Sequence, residues 1–117
     1  MTHSFRATQD VIIRTPRFED AVRFYQAVLG LPIVHKSPSL VGFDAGAIRL
    51  YVEHGREHGP VFDFRVPNMD GAKHRLLSAG CTVQEEDPAV PRCYIRDPHG
   101  LVFNIEQTAE SRGTPEP

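Results

Sequence analysis

The feature that most constrains this chain is that it repeats itself. One order of elements, a strand, a helix and then three short strands, runs twice between about residue 8 and residue 107. In the first copy, Gln9–Arg14 reads as a strand, because Val11, Ile12 and Ile13 are β-branched and run toward a proline. Thr15 is placed to cap the following helix, and Pro16 fits its first turn. Phe18, Ala21, Val22, Tyr25, Val28 and Leu29 recur at the three-four spacing of one helical face, and Gly30 ends it. Strands are predicted over 33–36, 40–44 and 47–53, with Ala45-Gly46 as the last turn.

The second copy begins with a strand over 61–66. Pro67 and Asn68 open a helix with Met69, Ala72, Leu76 and Leu77 on its inner face, and Gly80 closes it. Strands over 82–86, 93–96 and 101–107 complete the set. Arg14-Thr15-Pro16 aligns with Arg65-Val66-Pro67, Ala21 with Ala72, and Gly30 with Gly80 after one deletion. This order predicts an α+β fold of two βαβββ modules, a tandem duplication whose curved mixed sheet surrounds a cleft.

The 117 residues suit one domain over 1–108, with halves at about 8–54 and 60–107 and a disordered polar tail over 109–117. A formal net charge of −2 leaves no basic surplus to attract nucleic acid, and no apolar run is long enough to cross a membrane. The N-terminal residues lack the apolar stretch of a secretory signal, so cytoplasm is the expected compartment. Cys81 and Cys93 match no zinc or redox spacing and read as reduced thiols in or near strands. His54 and His58 sit in a glycine-rich connector, where Gly55, Gly59 and Pro60 argue against the helix a metal grip would need.

Three segments resemble a known superfamily. Phe24-Tyr25-Gln26-Ala27-Val28-Leu29-Gly30-Leu31 is similar to a helix-end signature of the vicinal-oxygen-chelate proteins, which include glyoxalases, bleomycin-resistance proteins and extradiol dioxygenases. Phe64-Arg65-Val66-Pro67-Asn68 resembles the start of that family's second half. Arg96-Asp97-Pro98-His99-Gly100-Leu101 resembles its turn before the last strand. The resemblance implies four metal-ligand positions, which fall here on Asp10, Arg49, Val61 and Asn104. Val61 has no donor atom, Arg49 puts a cation where a dication would sit, and Asn104 is a weak neutral ligand, so no metal and no other cofactor is expected. The closer resemblance is to the metal-free, bleomycin-resistance-like branch.

Strand alternation nominates the side chains that turn away from the helices. Ile48, Leu50 and Val52 are assigned to the helix side, as are Phe62, Phe64 and Val66, and Leu101, Phe103 and Ile105. That leaves Asp10, Arg49, Tyr51, Glu53, Asp63, Arg65, Asn104 and Glu106 as candidate ligand-binding residues, of mixed charge. Carboxylates suit amines, and guanidinium groups suit carboxylate or phosphate oxygens. Equally, these charges can satisfy one another, Arg49 with Glu106 for example. Tyr51 and Tyr94 are expected first as contact or packing surfaces. The leading expectation is a metal-independent small-molecule binder, sequestering an antibiotic or holding a polar metabolite. The alternative is a metal-dependent glyoxalase-like lyase, isomerase or dioxygenase with a non-standard ligand set. The resemblance also implies a homodimer.

Overall fold

The computed structural model describes residues 4–90 and 92–108, so the expected tail over 109–117 lies outside the described residues. The fold is mixed α+β, with the strand–helix–three-strand order occurring twice. The elements are β1 (Arg6–Thr15), α1 (Phe18–Arg23), β2 (Ile33–Ser37), β3 (Leu40–Asp44), β4 (Arg49–His54), β5 (His58–Val66), α2 (Met69–Ser78), β6 (Thr82–Asp87), β7 (Arg92–Arg96) and β8 (Val102–Gln107). Two compact units divide the chain: Gln9–Val61, and the described residues from Phe62 onward together with those up to Thr8.

In the first unit the strand order is β2-β3-β4-β1. β1 and β4 are parallel, with Asp10 opposite Arg49 and Ile12 opposite Tyr51, while β2, β3 and β4 form an antiparallel meander. Alternation sends Ile13, Leu50 and Val52 to the helix side, where they join Val41, Phe43, Phe18, Ala21, Val22 and Tyr25. Fully burying such a side chain stabilises by about 1.5–3 kcal/mol. Thr15 contributes to the helix start as expected, but from outside it: its hydroxyl accepts from the Arg17 N–H at 3.0 Å, and Arg17 is the capping residue. The helix then departs from the expected α geometry. Residues Phe24–Val28 form a π-helical turn, and the Leu29 N–H reaches back to the Phe24 carbonyl at 3.2 Å. The wider turn rotates the following side chains, so Val28, 67% exposed, and Leu29 leave the apolar face assigned to them. Gly30 closes the segment at φ +71, with the Leu31 N–H on the Tyr25 carbonyl.

The second unit has the order β5-β8-β7-β6, with β5 and β8 parallel. Val66, Ile105, Phe103, Ile95 and Cys93 pack with Ala72 and Cys81 under α2. The Phe64 and Phe103 rings meet edge to face, 5.1 Å between centroids. Asn68 caps α2 by accepting from the Gly71 N–H at 2.8 Å, and Gln107 accepts from the Met69 N–H at 2.8 Å, tying the helix start to the last strand. At the other end the Cys81 N–H returns to the Leu76 carbonyl, with Gly80 at φ +101.

Several side chains assigned to helix-facing positions are exposed: Ile48, Phe62, Leu77 and Leu101. Ile48 and Leu101 precede the paired residues of their strands, and Leu77 lies in the last turn of α2. Phe62 has the right parity and stands opposite the buried Phe103, yet it is 44% exposed and lies outside the core cluster. The glycine-rich connector is also shorter than expected, because β4 runs through His54 and β5 starts at His58. Among the described residues no helix is long and apolar enough to cross a membrane.

Candidate functional site

Each unit buries one face of its sheet under a helix and carries polar side chains on the other. The cross-strand registers arrange those polar faces as rows. In the first unit one row reads Ile12, Tyr51, Gly42, His35 across β1, β4, β3 and β2. In the second the corresponding row reads Asp63, Asn104, Tyr94, Glu85 across β5, β8, β7 and β6. The duplication is therefore visible in the site as well as the scaffold, with different chemistry at each step.

The second row is a closed network at its inner end. Asp63 is 3% exposed and Asn104 8% exposed. The Asn104 amide donates to Asp63 Oδ1 at 3.0 Å, and its carbonyl oxygen accepts from the Cys93 N–H at 2.8 Å. The Thr8 hydroxyl donates to the other Asp63 oxygen at 3.0 Å. A buried carboxylate is tolerated only when its oxygens are engaged in this way. The outer end is an ion pair laid on a ring. Arg92 reaches Glu85 at 3.2 Å, and its guanidinium carbon sits 5.1 Å from the centre of the buried Tyr94 ring. Arg65 and Glu106, opposite one another, approach to 3.8 Å at the surface.

The first row is more open. The Tyr51 ring lies across Gly42, so close that a Cβ added there would stand 2.6 Å from a ring carbon. His35, the next residue in the row, has its ring centroid 6.2 Å from that of Tyr51. Arg49 shares the face with Tyr51. Its guanidinium contacts Gln9 at 3.3 Å and Asp10 at 3.8 Å, both long for charge-assisted bonds. Hydrogen bonding to the Tyr51 hydroxyl, then the charge of Asp10, holds Arg49 more firmly protonated than usual. Farther along, Arg14 stands opposite Glu53, and the Arg14 Nε donates to the Arg56 carbonyl at 2.8 Å.

Of the eight candidates, Asp10, Arg49 and Tyr51 are together in the first unit, with Glu53 one step along the same face. Asp63 and Asn104 form one buried pair in the second, and Arg65 and Glu106 one exposed pair. Gly42, His35, Tyr94 and Glu85 belong to the same rows, and Arg92 lies two residues from Tyr94 on the same strand; none of them is among those candidates. A repeated Arg-x-Tyr pattern, Arg49-Leu50-Tyr51 and Arg92-Cys93-Tyr94, is the signal that could have found the second tyrosine's row. An open groove of about 530 Å³ lies elsewhere in the first unit, lined by Pro16, Arg17, Phe18, Glu19, Asp20, Pro38 and His54, and includes none of the eight.

At the four positions that the resemblance assigns to metal ligands, Asp10, Arg49, Val61 and Asn104, the side chains have other surroundings. Asp10 is turned to Arg49, Val61 is buried and carries no donor, and both polar atoms of the Asn104 side chain are taken by Asp63 and Cys93. Among the described residues no three His, Cys, Asp or Glu side chains come together as a metal site would require.

The Asp97-Pro98-His99-Gly100 turn proves to be an anchor for β8. Asp97 Oδ1 accepts from the His99 N–H at 2.9 Å and the Leu101 N–H at 3.0 Å. Those bonds, Leu101 first, hold its carboxyl below the usual range.

Comparison with known proteins agrees with this architecture. A glyoxalase/bleomycin resistance protein/dioxygenase superfamily member from Vibrio splendidus 12B01 superposes with a TM-score of 0.62 at 15% identity, covering 92% of this chain and 100% of that one. A methylmalonyl-CoA epimerase variant from Streptomyces coelicolor gives 0.62 at 17% identity, covering 96% and 100%. The Mn(II)-bound glyoxalase from Novosphingobium aromaticivorans gives 0.60 at 20% identity, covering 90% of this chain and 40% of that one. At these identities the likeness is one of fold. A search of curated proteins returns no match. Residues 10–106 match the glyoxalase-like domain family, and the chain belongs to it.

Proposed function

We propose that this chain is a small-molecule-binding protein that uses the polar faces of its sheets without a resident metal, as in the bleomycin-resistance-like branch of its superfamily. One observation carries the reading. The residues at the family's ligand positions are occupied with one another or lack a donor: Asp10 with Arg49, Asn104 with Asp63 and the Cys93 N–H, and Val61 with nothing to offer. The mixed charge of the first unit's face supports recognition of a polar ligand, because Arg49 and Asp10 offer opposite charges at a partly exposed surface.

The test is thermal unfolding against a panel of carboxylates, amines and phosphate esters, in buffer containing a chelator. A ligand present at about one hundred times its dissociation constant stabilises the folded state by roughly 2.7 kcal/mol. The reading expects at least one class to raise Tm equally with and without the chelator. Stabilisation that appears only when a divalent metal replaces the chelator would overturn it in favour of the metal-dependent enzyme reading.

A further inference from the structure

An arginine and a tyrosine share a polar strand face in each unit, on β4 in the first and on β7 in the second, so the two pairs are alike in chemistry but not equivalent in the duplication. Each has an arginine and a tyrosine two residues apart on one strand, so that alternation puts both on the polar face. In the second unit the arginine is fully engaged. Tyr94 is 3% exposed, the Arg92 side chain is 18% exposed, the guanidinium lies over the ring, and Glu85 from the neighbouring strand supplies the anion at 3.2 Å. In the first unit Gly42 separates Tyr51 from His35 in the row, and no carboxylate stands there as Glu85 stands beside Tyr94. The Arg49 side chain is 42% exposed, and its nearest carboxylate, Asp10, stays at 3.8 Å. Gly42 makes a further difference. The absence of a side chain there lets the Tyr51 ring lie down on the β3 backbone, which turns an aromatic face into a shelf beside the guanidinium.

We propose that Arg49, Tyr51 and His35 form the binding site for a planar aromatic carboxylate: the carboxylate pairs with the exposed Arg49 guanidinium, whose present contacts are long, and the ligand ring stacks on the Tyr51 shelf beside His35. A guanidinium presents paired N–H donors that match a carboxylate's two oxygens. A flat ring adds stacking that an aliphatic acid cannot supply. This assignment rests on the small-molecule-binding reading and names its ligand class.

Benzoate is the probe, with benzyl alcohol as its uncharged counterpart and cyclohexanecarboxylate as its non-aromatic one. Amide NMR titration of the full chain at fixed ionic strength reads the site directly. Benzoate is expected to shift the amides of Gly42, Arg49 and Tyr51 saturably. Benzyl alcohol should bind more weakly by about tenfold or more, since a hydrogen bond to a charged group is worth about 1.5–3 kcal/mol. Cyclohexanecarboxylate should bind more weakly by roughly threefold. Arg49→Gln, at an exposed position that leaves the core intact, should weaken benzoate about tenfold, whereas Arg92→Gln should leave benzoate binding unchanged. Tyr51→Leu should erase the preference for benzoate over cyclohexanecarboxylate, which separates lost stacking from lost charge.

Equal binding of benzoate and benzyl alcohol would overturn the proposal, as would benzoate shifts centred on Arg92 and Tyr94 or an absence of saturable shifts. The thermal panel distinguishes the two levels. If phosphate esters or amines stabilise the chain and benzoate does not bind, the ligand class is wrong and the binding reading stands. If nothing in the panel stabilises it, both fail.

Discussion

Replacing Asn104 by alanine removes two hydrogen bonds in one step. The Cys93 N–H, inside the protein, loses its 2.8 Å acceptor, and Asp63 loses the 3.0 Å donor on one of its oxygens. An unsatisfied buried donor costs about 1–3 kcal/mol, and a hydrogen bond to a charged group is worth about 1.5–3 kcal/mol. Thr8 still serves the other Asp63 oxygen, and water can enter part of the vacated space, so the loss should fall at about 2–4 kcal/mol. That is a large share of the roughly 5–15 kcal/mol available to a domain of this kind. Urea unfolding is the assay, with a lowered midpoint at constant slope as the expected result. Asn104→Asp is the companion variant. It keeps an acceptor for Cys93 but faces Asp63 with a second carboxylate, so at least one folded-state carboxyl is raised above its unfolded value. The folded state then binds more protons than the unfolded one, and the variant should lose stability as pH rises from roughly 4 to 7. A loss below about 0.5 kcal/mol for Asn104→Ala, with no pH trend for Asn104→Asp, would refute the claim that this ligand position is committed to structure.

Other perturbations test neighbouring parts of the account. Gly42→Ala places a methyl group against the Tyr51 ring, at 2.6–3.1 Å from three of its carbons, and should cost about 1–3 kcal/mol in urea unfolding while weakening benzoate binding. Ile95→Ala, at a fully buried core position, should cost about 2–5 kcal/mol by the same assay. Asp97→Asn should lower Tm at neutral pH. Because the native carboxyl is depressed by the Leu101 and His99 N–H bonds, its contribution is present above the unfolded value and disappears as pH falls through the folded one, so the gap between variant and native chain should narrow in acid. Burial pushes both cysteine thiols up, so disulfide-exchange reagents should label Cys81 and Cys93 at the rate of unfolding rather than at the rate of a free thiol.

Most of the scaffold is legible in the residues because hydrophobic period and punctuation agree there. Leu40–Asp44 is found with the bounds expected of it, and Asn68 and Gly80 bracket the second helix as their chemistry requires. The π-turn is not legible. Val28 and Leu29 keep a helical spacing in the sequence, and a single widened turn moves them to the surface. Exposure of Phe62 and Leu101 is hidden too, since parity assigns a face but neither the end of a strand, which Leu101 precedes, nor the extent of packing on that face.

The polar faces follow the same division. Alternation brings Asp10, Arg49, Asp63 and Asn104 to light, because apolar neighbours occupy the intervening positions. Which of them become partners depends on register. Asp63 meets Asn104 only because β5 and β8 align so that Phe62 stands opposite Phe103, and no local signal fixes that. The Tyr51 shelf needs a glycine at the facing position of the neighbouring strand, a coincidence that only the register reveals.

The most direct test of the central claim is metal content. The untagged protein, incubated separately with Mn, Fe, Ni and Zn salts and dialysed, is assayed by mass spectrometry for metal bound per chain. Less than roughly a tenth of an equivalent is expected for every ion, because among the described residues no three His, Cys, Asp or Glu side chains are grouped to hold one. Near-stoichiometric metal that is lost on Asp10→Ala or Glu106→Ala would contradict it, and would redirect the search toward metal-assisted isomerase or dioxygenase chemistry.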